Sequence, residues 1–130
     1  MIAFRKKPTD AELAILRVLW ARGPSTVRQI TEVMTDAGRE TGYTTVLKLL
    51  QIMTEKGIVV RDESARTRIY APASTQDQTQ RQMVTDLLDR VFEGSASRLV
   101  LQALSSRPAS PTELAEIRRL LDELAGDAKK

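Results

Sequence analysis

The chain has 130 residues, 20 Lys and Arg against 17 Asp and Glu, a formal net charge of +3 and 42% apolar residues, a globular balance with room for one domain or two small cores and none for a large catalytic barrel. It contains no Cys and no His, which excludes disulfides, thiolate metal sites, cysteine nucleophiles and imidazole bases, and leaves enzyme chemistry to carboxylates, Lys, Ser or Tyr alone. No stretch approaches the roughly 18 uncharged apolar residues of a membrane span, and no apolar run follows the basic start Arg5-Lys6-Lys7, so a soluble cytoplasmic protein is expected.

A first helix opens at Thr9 or Asp10, where Thr9-x-x-Glu12 reads as a capping box. It carries Leu13, Leu16, Val18, Leu19 and Trp20 and stops at Gly23-Pro24. A second, capped by Ser25 or Thr26, places Val27, Ile30 and Met34 on one face and ends by Gly38. A third starts after Gly42, repeats apolar residues at Val46, Leu49, Leu50 and Met53, and ends at Lys56-Gly57, a basic last turn followed by a C′ glycine.

After Gly57 the period changes. Ile58 to Asp62 and Thr67 to Ala71 are β-branched or aromatic runs separated by Glu63-Ser64-Ala65-Arg66, which reads as a hairpin with a polar, basic tip. Three short helices followed by a hairpin is the order of a winged helix-turn-helix, whose third helix enters the major groove of DNA.

Beyond Ser74 the pattern is helical again. Met83, Leu87, Val91 and Phe92 form one stripe, and Leu99, Val100, Leu101 and Leu104 a second, with Gly94-Ser95 between them as a break and a cap. Ser110-Pro111-Thr112-Glu113 opens a third helix carrying Leu114, Ile117, Leu121 and Leu124. So few residues bury little surface alone, and pairing with a second copy is the natural remedy. The expected fold is mainly α with a small β-hairpin wing: a winged helix-turn-helix over residues 1–73 and a helical dimerisation domain over 74–130.

Charge follows the same division. Through Ala73 twelve basic residues stand against eight acidic ones, and beyond it eight stand against nine, so the first part is the one suited to a polyanion. On the third helix a rotation of about 100° per residue turns Thr44, Lys48, Gln51 and Glu55 away from the apolar stripe. Lys48 and Gln51 suit guanine and adenine edges, and the methyls of Thr44 and Thr45 suit thymine; an ordinary solvated face reads the same way in isolation. Arg61, Arg66 and Arg68 at the hairpin are phosphate candidates, or charges that guard a sheet edge. Arg28 and the terminal Arg5-Lys6-Lys7 are further phosphate candidates. Trp20 and Tyr70 are expected to pack, while Tyr43 either reaches DNA or packs at the helix entry.

Thr9-x-x-Glu12-x-x-Ile15-Leu16-x-x-Leu19-Trp20, Thr26-Val27-Arg28-x-Ile30, Tyr43-Thr44-Thr45-Val46-x-x-Leu49-Leu50 with Glu55-Lys56-Gly57, and Arg68-x-Tyr70-x-Pro72 together resemble the penicillinase-repressor family of the BlaI/MecI type. The resemblance runs from about Pro8 to Leu124. It implies a homodimeric winged-helix repressor on a palindromic operator of β-lactamase, resistance or sensor-protease genes, with Tyr43, Thr44, Thr45 and Lys48 facing DNA and Arg66 and Arg68 at the wing. It also implies inactivation by cleavage in the C-terminal domain through a membrane metalloprotease sensor. Where the best-known members carry an Asn-Phe bond, this chain reads Gln102-Ala103. Copper-responsive relatives of the CopY kind carry a C-terminal cysteine motif, which a chain without Cys lacks.

No cofactor is expected. Without Cys or His a metal would need oxygen ligands, and the set Asp86, Asp89 and Glu93 reads better as an exposed charged face. The alternative function is a winged-helix protein–protein interaction module without sequence-specific DNA binding. An enzyme built around Glu93-Gly94-Ser95 lacks both a base for the serine and a Gly-x-Ser-x-Gly elbow.

Overall fold

In a computed structural model, residues 7–128 are described; Arg5 and Lys6 lie outside them. Helix α1 (Asp10–Arg22) begins with the expected reciprocal cap: Glu12 N donates to Thr9 Oγ1 at 3.2 Å and Thr9 N to Glu12 Oε1 at 2.9 Å. Helix α2 (Val27–Asp36) has the same device between Thr26 and Gln29. Each cap stabilises its helix by about 1 kcal/mol by satisfying first-turn N–H groups. Helix α3 (Tyr43–Lys56) ends at Gly57, which sits in the left-handed region at φ 78° and donates back into the last turn, a conformation that a Cβ would penalise.

Ile15, Leu16 and Leu19 of α1, Ile30 and Met34 of α2, and Val46, Leu50 and Met53 of α3 are buried together. In α2 and α3 these are the spacings of three and four read from the sequence; in α1 Leu16 and Leu19 are buried as expected, Ile15 joins them, and Leu13, Val18 and Trp20 pack only partly buried at the edge. Each buried side chain contributes roughly 1.5–3 kcal/mol relative to exposure. Leu49, expected with them, is half-buried at the edge.

Strands β1 (Val59–Asp62) and β2 (Ile69–Pro72) pair antiparallel, with Val59 opposite Pro72 and Arg61 opposite Tyr70. The second run thus pairs from Ile69 rather than Thr67, which leaves the wing tip longer than expected. Val59 and Tyr70 close the core, and Tyr70 has no exposed surface. A third segment joins on the other side of β2: Ser25 N donates to Tyr70 O at 3.0 Å and Tyr70 N to Ser25 O at 2.8 Å. The wing is thereby hydrogen-bonded to the turn that precedes α2.

The chain divides into two compact units, one through Asp86 and one from Leu87. Helix α4 (Gln76–Val91) spans the division. Its first part joins the first unit, beyond the boundary expected at 73/74, for three physical reasons. Trp20 Nε1 donates to Ser74 O at 3.0 Å, Thr79 is buried, and Lys7 Nζ pairs with Asp86 at 3.3 Å.

The second unit holds the end of α4, then α5 (Ala96–Ser106) and α6 (Pro111–Ala128). Glu93 and Gly94, both at positive φ, break the chain before α5, and Ser95 caps it. Ser110 and Glu113 form the cap at α6. Neither α5 nor α6 has a buried residue. No helix of the described residues is long and apolar enough to cross a membrane.

Candidate nucleic-acid interface

Helix α3 buries Val46, Leu50 and Met53 and so turns Thr44, Thr45, Lys48, Gln51 and Glu55 outward, all of them exposed. Its N-cap is Gly42, without a side-chain acceptor for the first-turn N–H groups; a helix start left in this way favours an anion. Tyr43, the first residue of the helix, is 51% exposed.

Beside this helix start lies an open cleft of about 540 Å³. Val27, Leu47 and Tyr43 supply its apolar lining over the buried Tyr70, and Arg28, Arg66 and Arg68 supply positive charge. Three elements far apart in sequence thus meet: the first turn of α2, the first turn of α3, and the wing. Arg28 and Tyr43 also share a shallower recess with Thr31 and Glu32. Lys48, Gln51, Thr44 and Thr45 are not in the cleft but on the exposed face of α3.

The wing carries its own electrostatic structure. Arg61 Nε lies 3.4 Å and Arg68 Nε 3.1 Å from the same oxygen, Glu63 Oε1. Arg66 has no carboxylate partner among the described residues. At the tip, Ser64 N donates to Asp62 Oδ1 at 2.8 Å. Hydrogen bonds from the Ser64 side chain and backbone hold the Asp62 carboxyl below its ordinary value. Among the described residues no three acidic side chains are grouped as metal ligands, and Asp86 is paired with Lys7.

The residues expected to dimerise lie on α4, α5 and α6. Met83, Leu99 and Ile117 are half-buried, whereas Leu87, Val91, Leu104, Leu114, Leu121 and Leu124 are exposed. Gln102 and Ala103 are exposed within α5. Glu63 escaped the sequence reading because its role depends on hairpin register. In the folded hairpin it lies just past the end of β1, two residues after Arg61, and within ion-pair distance of Arg68 just before β2.

Comparison with known proteins places this arrangement. A sequence model of the penicillinase repressor family matches residues 8–123. The transcriptional regulator BlaI of Mycobacterium tuberculosis is 34% identical over 116 residues, 88% of this chain and 83% of that one. The penicillinase repressor of Bacillus licheniformis is 22% identical over 115 residues, 88% of this chain and 89% of that one. Among solved structures, RosR of H. salinarum superposes with a TM-score of 0.51 at 19% identity, over 94% of this chain and 97% of that one. A complex structure of hsRosR gives 0.53 at 20%, over 95% and 97%. These structural likenesses bear on the fold alone, which is mainly helical with a two-stranded wing. The chain belongs to the penicillinase repressor family, whose members are transcriptional regulators rather than enzymes, and it is a repressor of the winged-helix type.

Proposed function

We propose that the protein binds a palindromic operator as a homodimer and represses by occupying the promoter. The observation that carries this reading is the convergence of Arg28, Arg66 and Arg68 on a cleft beside the exposed polar face of α3. Phosphates would be held by these arginines and by the helix starts, which sets register without reading sequence. Thr44, Thr45, Lys48 and Gln51 would meet base edges in the major groove, and Tyr43 would stand between the two contacts.

The many exposed leucines of α5 and α6 support pairing with a second copy, since large apolar side chains gathered on a surface mark interaction sites. On this reading residues 1–73 supply the DNA-binding domain and 74–130 the dimerisation domain. Two winged helices would then occupy half-sites about one helical turn, ~34 Å, apart. The name of the relative from Bacillus licheniformis, penicillinase repressor, favours a regulon of the β-lactamase type. If induction proceeds by proteolysis at Gln102-Ala103, α5 must first unwind locally, because that bond lies within the helix.

The test is fluorescence anisotropy of the full chain against the duplex upstream of its own gene and a shuffled duplex of equal length, at two salt concentrations. Tighter binding to the native duplex, falling with salt by a log–log slope of about −0.9 per phosphate contact, is expected. Equal affinity for both duplexes with a flat salt response would overturn the proposal in favour of a protein-interaction module.

A further inference from the structure

The hairpin face that buries Val59 and Tyr70 does not stop at the edge of the core. Side chains alternate along a strand, so Arg61 lies on the same face as Val59 and opposite Tyr70. Glu63 and Arg68 lie just beyond the last paired residues, Asp62 and Ile69. Next to the core the hairpin therefore carries one carboxylate between two guanidinium groups, with Arg61 Nε and Arg68 Nε at 3.4 and 3.1 Å from Glu63 Oε1. Arg68 is also one of the three arginines of the cleft.

We propose that Glu63 is a positioning residue for DNA binding: its carboxylate, ion-paired to both Arg61 and Arg68, holds the two guanidinium groups together at the wing for contact with phosphate. The inference rests on the DNA reading of the cleft. An arginine has five N–H donors, so one in an ion pair still has donors to give, and a planar fork held in one place loses less freedom on binding. All three side chains are partly exposed, at 32%, 54% and 53% for Arg61, Glu63 and Arg68. Their ion pairs are accordingly weak on their own, and their consequence lies in where the arginines point. Arg66 is the wing arginine without a carboxylate partner among the described residues.

Charge alone makes the opposite forecast. Glu63 is an anion beside a polyanion, so removing it by Glu63→Ala or Glu63→Gln should tighten binding equally. Positioning predicts weaker binding instead, because either variant loses both ion pairs. The experiment is anisotropy titration of the full chain and of both variants against the native upstream duplex, with matched thermal melts to confirm folding. It is repeated in an Arg61→Ala/Arg68→Ala background as a double-mutant cycle.

The expected result is that both variants bind about two- to fivefold more weakly than the wild type, and that this loss disappears when both arginines are gone. Variants that bind as tightly as the wild type or more tightly, or a loss that survives without the arginines, overturn the inference and leave the DNA reading intact. Wild-type protein that binds neither native nor shuffled duplex overturns that reading, and the positioning role with it.

Discussion

Glu12 and Lys56, separated by 44 positions in the sequence, meet at 2.8 Å between the first turn of α1 and the last turn of α3. Glu12 retains 2% of its exposure and the Lys56 side chain 19%. The same Glu12 Oε1 also accepts from Thr9 N, so one oxygen serves both the helix cap and the tertiary ion pair. Lys56→Met would leave a buried carboxylate with only its cap partner. We expect a loss of about 2–3 kcal/mol, below the 3–5 of a fully enclosed pair because water reaches the lysine. Urea unfolding measures it, and a loss under about 0.5 kcal/mol, the scale of an ordinary surface change, would show that the pair does not tie α1 to α3.

On the proposed DNA reading, Lys48 would read base edges and Arg66 would hold phosphate. Lys48→Ala is expected to erase much of the preference for operator over shuffled DNA. Arg66→Ala is expected to weaken both alike and to lower the magnitude of the salt slope by about 1. Anisotropy titrations of the two variants side by side decide it, and identical losses would contradict this division.

The proposed dimer would rest on the exposed leucines of α6. Leu121 and Leu124 are each 56% exposed within the single chain. Leu121→Glu combined with Leu124→Glu is therefore expected to convert a dimer to a monomer in sedimentation velocity. The melt of the winged-helix unit should persist, since its core lies in the other compact unit. A variant that stays dimeric would move the interface off this face.

Asp62 titrates low because Ser64 donates to it from side chain and backbone. A depressed folded value means that the carboxylate's contribution is complete above its unfolded value and is lost as pH falls through the folded one. Hairpin stability should therefore be indifferent to Asp62 near neutrality and decline only in acid. Carboxyl-detected NMR titration should show Ser64→Ala moving the Asp62 midpoint upward, and no movement would remove the hydroxyl as a cause.

Tyr70 is wholly buried, and its hydroxyl has no hydrogen-bond partner among the described residues. An unpaired buried donor is costly while the ring's burial is favourable. Tyr70→Phe is expected to leave the melting temperature unchanged or raised. A clear fall would reveal that the hydroxyl is satisfied in solution.

Helix α3 was legible from end to end. Gly42 before it, Gly57 after it and the spacing of Val46, Leu50 and Met53 between them define Tyr43–Lys56. The caps at Thr9 and Ser110 were equally plain, because a capping box joins residues only three apart. Trp20 and Tyr70 were expected to pack. Trp20 anchors Ser74 and Tyr70 closes the core.

What the sequence by itself determined are the helices, their caps, the wing and the outward face of α3, since each depends on neighbours within one or two turns or one hairpin. Only the tertiary structure decided which distant residues meet: Ser25 beside Tyr70, Glu12 on Lys56, and Arg28 with Tyr43, Arg66 and Arg68 around one cleft. It also placed Glu63 between two arginines and carried the first compact unit past residue 73 to Asp86. Such contacts have no period along the chain. They arise when three amphipathic helices bury their stripes against one another, and the polar residues at the rims are brought together as a consequence of that packing.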